Sequence, residues 1–123
     1  MYDYANVQLM GRATSDAEFG KVDDEGRVSK AIFTLALNIP IRRGNQTTSR
    51  TLYRRVMALG SFVNYVANCQ TDGGLKGRLI NVLGVMDDEH CTEDDEEYFQ
   101  DIVRVAPGAG FIKIIDRRAQ NNG

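Results

Sequence analysis

Thr51-Leu52-Tyr53-Arg54-Arg55-Val56-Met57-Ala58-Leu59-Gly60-Ser61-Phe62-Val63 changes its period at the glycine, and that change decides how the chain is read. Before Gly60 the side chains alternate between two faces, as a strand of period two requires. Tyr53, Arg55, Met57 and Leu59 share one face; Leu52, Arg54, Val56 and Ala58 share the other. After Gly60, Phe62, Val63, Val66 and Cys69 fall on one side of a short helix over residues 62–70. Ser61 is placed to cap that helix, and Thr71-Asp72-Gly73-Gly74 stops it.

Upstream, residues 6–12 alternate and read as a strand ending at Gly11. Residues 13–19 are short and mixed, and Asp23-Asp24-Glu25-Gly26 signals a turn. Residues 29–38 form a second strand with Ala31, Phe33, Leu35 and Leu37 on one face. Residues 39–50, with one Pro, one Gly and Gln46-Thr47-Thr48-Ser49, read as a loop, and residues 51–59 as the third strand. Downstream, residues 78–86 form a fourth strand, residues 87–97 an acidic loop, and residues 98–105 a fifth strand. Ala106-Pro107-Gly108-Ala109-Gly110 breaks the pattern before a short final strand at 111–115, and residues 117–123 are a polar tail. No internal repeat occurs. The expected fold is all-β with one helix, a five- to six-stranded OB-fold barrel with the helix between strands 3 and 4. Barrels of this kind carry a nucleic-acid-binding face.

Composition bounds the rest. A chain of 123 residues fits one domain, here residues 1–116, large enough to bury a core. The apolar run at 79–86 is interrupted by Asn81 and Gly84 and falls far short of the ~20 residues of a membrane span. Met1-Tyr2-Asp3-Tyr4 lacks the basic-then-apolar pattern of a secretory leader. Cys69 and Cys91 have neither C-x-x-C nor zinc spacing and read as free thiols of a reducing compartment, with a disulfide between them left open. The net charge of −2 hides an asymmetry: eight of the 17 acids lie in residues 87–97, leaving nine acids against 15 bases elsewhere.

Four segments carry a resemblance. Asn6-Val7-Gln8-Leu9-Met10-Gly11-Arg12 with Asp16 and Glu18, Phe33-Thr34-Leu35-Ala36-Leu37-Asn38, Tyr53-Arg54-Arg55-Val56-Met57-Ala58-Leu59-Gly60, and Leu75-Lys76-Gly77-Arg78-Leu79-Ile80-Asn81-Val82-Leu83-Gly84 follow in order. Together they resemble the bacterial and mitochondrial single-stranded DNA-binding proteins. The match runs in register over about residues 5 to 86. The resemblance implies an OB-fold that binds single-stranded RNA or DNA and associates with other OB-folds.

The departures from that family are also informative. No Trp is present, Leu59 stands where a Phe is usual, and Ile39 and Ile41 stand where an aromatic is common. Tyr53 keeps one aromatic position, and residues 87–97 are acidic where the family's loop is often basic and aromatic. The OB-fold subunits of the kinetoplastid mitochondrial RNA-editing complex are similar in these respects. That likeness implies a non-catalytic subunit of a ribonucleoprotein assembly in the mitochondrial matrix, which binds single-stranded RNA modestly and makes OB–OB contacts. The alternative is a general single-stranded DNA-binding protein, a homotetramer of the cytoplasm or nucleoid.

The candidate binding residues are Arg42, Arg43, Arg50, Tyr53, Arg55, Leu59, Lys76 and Arg78. Arginine grips phosphate with a planar fork and also stacks on bases. Arg54 and Arg55 are adjacent in a strand and point to opposite faces, so only one serves a given ligand surface. Arg55 is preferred because it shares a face with Tyr53, which leaves Arg54 to a partner subunit or a carboxylate. Lys76 and Arg78 flank Gly77 and are expected beside the bound backbone. The acidic segment reads as a solvated hairpin tip, a dock for a basic partner or a weak cation site. It lacks the spaced ligands and central Gly of an EF-hand loop, and His90-Cys91 supplies too few ligands for a transition-metal site. No G-x-S-x-G, P-loop or H-E-x-x-H occurs, and the single His lies in the acidic segment. No catalytic constellation, cofactor or metal is therefore expected.

Overall fold

Each long strand offers one apolar row, and the rows are buried by rolling the sheet until its first and last strands meet. The computed structural model describes residues 5–20 and 29–115. The expected turn at Asp23-Asp24-Glu25-Gly26 and the tail at 117–123 lie outside the described residues. The elements are β1 (Asn6–Ala13), β2 (Glu18–Phe19), β3 (Lys30–Arg43), β4 (Gln46–Leu59), α1 (Ser61–Thr71), β5 (Leu79–Glu93), β6 (Glu96–Val105) and β7 (Phe111–Ile114). The path β1-β3-β4-β6-β5 returns to β1 through a second pairing of β1 with β5, which closes a five-stranded barrel. The two extra strands sit on its rim, β2 against β3 and β7 against β5. Pairing is antiparallel except between β4 and β6, where Arg55–Ala58 run parallel to Ile102–Val105.

The inward row comes from Ala31, Phe33, Leu35 and Leu37 of β3, Val56 and Ala58 of β4, Ile80 and Val82 of β5, and Val103 and Val105 of β6. Leu35, Val56, Ile80, Val82 and Val105 are fully buried. α1 closes one end of the barrel with Val63 and Val66, and Leu75 seals the turn behind it. The Ile114 N–H donates to Tyr65 Oη at 3.0 Å, tying the last strand to the helix. Gly84 marks a close strand approach. A Cβ there would lie 2.6 Å from the Arg104 carbonyl oxygen and 2.7 Å from Val103 Cγ1.

The expected OB-fold barrel is thus present, with the helix at the expected place in the chain. It lies between β4 and β5 once the two-residue β2 is counted. Four local expectations are corrected. Residues 39–50 are not a loop, because β3 and β4 run on as a hairpin to a two-residue turn at Gly44–Asn45. Gly44 takes φ +60 and Asn45 does not, the type II′ geometry that favours Gly first. Residues 87–97 are the solvated hairpin tip expected, but as paired strand rather than loop, turning only at Asp94 and Asp95 with φ 51 and 66. Positive φ at both positions is type I′, which Asp tolerates. Ser61 does not cap α1; Gly60 at φ 60 is the N-cap, with no side-chain cap hydrogen bond. Finally, β1 continues through Gly11 to Ala13. Cys69 and Cys91 are free.

Candidate nucleic-acid interface

Two hairpin arms project beyond the barrel wall, and their composition is opposite. Between Glu25 and Asp72 the chain has seven Lys or Arg residues and no carboxylate. Four of these cations, Arg42, Arg43, Arg50 and Arg54, lie on the β3–β4 arm. The β5–β6 arm, from Asp87 to Asp101, carries nine carboxylates and no Lys or Arg. The β4–β6 ladder stops at Arg55 and Ile102, so the arms part from there onward. A groove of about 330 Å³ opens at that point, lined by Thr34, Tyr53, Arg54, Arg55, Gln100 and Asp101. A smaller apolar recess at the barrel mouth adjoins it, formed by Val7, Leu9, Met86 and Val103 with the same two arginines.

The pairing register sorts the expected binding residues. Arg42 opposes Thr47, so it shares the outer face of β4 with Tyr53, Arg55 and Leu59. Arg43 opposes Gln46 and Arg50 opposes Ile39, which puts both on the barrel-side face with Arg54. Arg42, Arg43 and Arg50 are exposed and make no ion pair among the described residues. Tyr53 is 61% exposed at the groove. Leu59 is half-buried and lies six residues along β4 from Tyr53, about 20 Å away at strand rise. It therefore sits at the helix end of the barrel.

Lys76 and Arg78 lie at that same end. Lys76 is exposed, and its backbone N–H donates to Asp16 Oδ1 at 3.2 Å. Arg78 departs from the expected surface role. It is 8% exposed, and its Nη1 donates to the Cys69 carbonyl at 3.0 Å. Its charge satisfies a carbonyl near the end of α1, where a cation also suits the helix dipole.

Arg54 and Arg55 both line the groove. Opposite side-chain directions were expected to separate them, but the groove sits where the β4 edge becomes free and can be approached from both faces. Arg55 is already paired. Its Nε and Nη2 donate to Glu89 Oε2 and Oε1 at 2.9 and 3.1 Å, a bidentate fork. That bond holds the guanidinium pKa above its ordinary value, against the opposing effect of burial. Nearby, Arg104 Nε meets Asp87 Oδ2 at 3.0 Å. The acidic arm therefore supplies counterions to the barrel's outer face. Ile102, in register between Arg55 and Asp87, is only 2% exposed although it points outward from the barrel.

Sequence reading missed the aromatics of the acidic arm. Phe99 is 71% exposed and Tyr98 41%. Phe99 packs against His90 with ring centroids 5.2 Å apart, and His90 Nε2 lies 3.7 Å from Glu97 Oε2. Tyr98 opposes Cys91 across the ladder, and the Cys91 sulfur raises its phenol pKa. The available signal was a Tyr-Phe pair in an otherwise polar, acidic stretch. Stacking surface is thus offered from both arms rather than from Tyr53 alone. No group of three or more His, Cys, Asp or Glu is placed to hold a metal ion among the described residues. No helix of the described residues is long and apolar enough to cross a membrane.

No family model matches this sequence, and no curated protein sequence matches it. Among solved structures the chain is similar to the Plasmodium falciparum SSB in complex with ssDNA. The TM-score is 0.75 and the identity 20%, covering 94% of this chain and 100% of that one. At that identity the likeness carries the fold.

Proposed function

We propose that this chain is a non-catalytic OB-fold protein that binds single-stranded nucleic acid across the groove between its two arms. The observation that carries this reading is the acid-free basic hairpin beside a groove rimmed by exposed Tyr53. Single strands are held by a cationic track plus aromatic faces on which bases stack. Arg42, Arg43 and Arg50 supply cations that make no ion pair among the described residues, Tyr53 supplies a ring face at the groove, and Phe99 supplies another on the barrel-side face of the acidic arm. The likeness to an SSB bound to ssDNA supports the same ligand class.

The finer reading is a subunit of a ribonucleoprotein assembly, such as the mitochondrial RNA-editing machinery. It would bind RNA modestly and dock other OB-folds. Two features support it: the missing Trp platforms, and the β4 and β6 edges, which among the described residues are left unpaired beyond Arg55 and Ile102. Unpaired strand edges readily accept another chain. Titration of labelled oligo-dT and oligo-U at two salt concentrations tests both levels. Tight, length-cooperative binding of oligo-dT would defeat the assembly reading in favour of a DNA-coating homotetramer. No binding of either strand at low salt would defeat nucleic-acid binding itself.

A further inference from the structure

The Arg55–Glu89 pair sits at the groove, where a phosphate tracking from Arg42 past Tyr53 would next arrive. The fork is bidentate, and the side chains are only 29% and 17% exposed. A carboxylate on a guanidinium presents two oxygens in the geometry a phosphate would use. Arg55 is therefore occupied by an internal anion in the free protein. A phosphate that meets Arg42, which makes no ion pair among the described residues, sheds its condensed counterions, whereas an arginine already neutralised by Glu89 contributes no net release.

We propose that Glu89 is a positioning residue that acts through Arg55, a built-in counterion that nucleic acid must displace to use that arginine. This rests on the single-strand binding proposed above. Glu89 thereby lowers affinity for any single strand and removes one phosphate contact from the salt dependence. The acidic arm then acts at this pair as a phosphate competitor, beyond its diffuse repulsion. The neighbouring Arg104–Asp87 contact, Nε to Oδ2 at 3.0 Å, places a second internal counterion on the same face, between side chains that are more exposed.

The test is fluorescence-anisotropy titration of labelled oligo-dT between 20 and 200 mM salt, on the full chain. Glu89→Gln keeps the shape of the pair and removes its charge. It should tighten binding roughly two- to five-fold, the range of partly exposed ion pairs. It should also steepen the slope of log K against log salt by about 0.7. Glu97→Gln makes the same charge change on the same arm, at a side chain 73% exposed and paired with His90. It should leave the slope at its wild-type value. Arg55→Gln added to Glu89→Gln should return the slope to wild type. Equal effects of Glu89→Gln and Glu97→Gln would reduce the arm to general repulsion and overturn the proposal. So would weaker or unchanged binding by Glu89→Gln with wild-type binding intact, which leaves the proposed function standing. Absence of binding by wild type and Glu89→Gln alike removes the parent reading and this one together. Thermal midpoints of each variant separate these outcomes from loss of fold.

Discussion

Replacing Tyr53 by Ala removes the ring most openly placed at the groove. The ring is 61% exposed, so its loss should cost folding little; changes at such positions stay within about 0.5 kcal/mol. Binding is a different matter. A base stacked on an aromatic side chain contributes roughly 1–3 kcal/mol. At 1.4 kcal/mol per tenfold, Tyr53→Ala should raise Kd roughly 5- to 150-fold. Tyr53→Phe keeps the face and loses only the hydroxyl, so it should bind within about twofold of wild type if stacking is the whole contribution. Stacking is short-ranged and carries no net charge, so the salt slope should not move in either variant. The assay is anisotropy titration with oligo-dT and oligo-U, together with thermal unfolding to show that the fold survives. Wild-type affinity in Tyr53→Ala would refute the stacking argument. Equal losses in Ala and Phe variants would also refute it, because the hydroxyl and not the ring would then be the contact. A changed salt slope would mean that the substitution had moved Arg55, its neighbour on the same face.

Phe99→Ala tests whether the second arm closes on the same strand: binding should weaken roughly 5-fold or more, with no loss expected if only β4 carries the ligand. The pair Arg42→Ala and Arg43→Ala, made singly, separates the two faces of the basic arm. Each arginine that touches phosphate should lower the salt slope by about 0.7, and the one that does not should leave it unchanged. Arg78→Met should leave the salt slope alone and destabilise the fold by roughly 2–3 kcal/mol, read by urea unfolding; a lowered slope would return Arg78 to the binding surface. Gly84→Ala should lower the thermal midpoint sharply, since its Cβ would meet the Arg104 carbonyl oxygen at 2.6 Å, and a backbone atom of a closed barrel cannot easily give way.

The barrel was legible in the sequence wherever one face of a strand is buried. Phe33, Leu35 and Leu37, Val56 and Ala58, and Ile80 and Val82 alternate with polar or half-buried partners, and the core follows that alternation. The arms were not legible for the same reason in reverse. Gln46-Thr47-Thr48-Ser49 and Thr92-Glu93-Asp94-Asp95-Glu96-Glu97 are exposed on both faces, so no apolar period marks them as strands. Only the β-branched residues Ile39, Ile41, Thr47, Thr48 and Thr92 hinted at extension. The site was legible in its parts, Tyr53 and the arginines, but not in its wiring. The reach from Arg55 to Glu89 depends on β4 lying beside β6, and the burial of Arg78 on where α1 ends. Neither leaves a mark in local spacing.

The β4–β6 seam has a consequence for how the molecule comes to function. The β3–β4 and β5–β6 hairpins are contiguous in sequence and need only short turns to form, which takes microseconds for hairpins in general. The parallel pairing of Arg55–Ala58 with Ile102–Val105 joins segments separated by the helix and the whole of β5. Contacts this distant in sequence, like the still longer-range closure of β1 on β5, carry more loop-closure cost than the hairpins and slow folding. The groove and the Arg55–Glu89 fork both lie on that seam. Oligonucleotide binding should thus appear after the hairpins, with the slower phase in which long-range pairings form, and a chain with two well-formed hairpins but an open β4–β6 seam would lack the assembled groove.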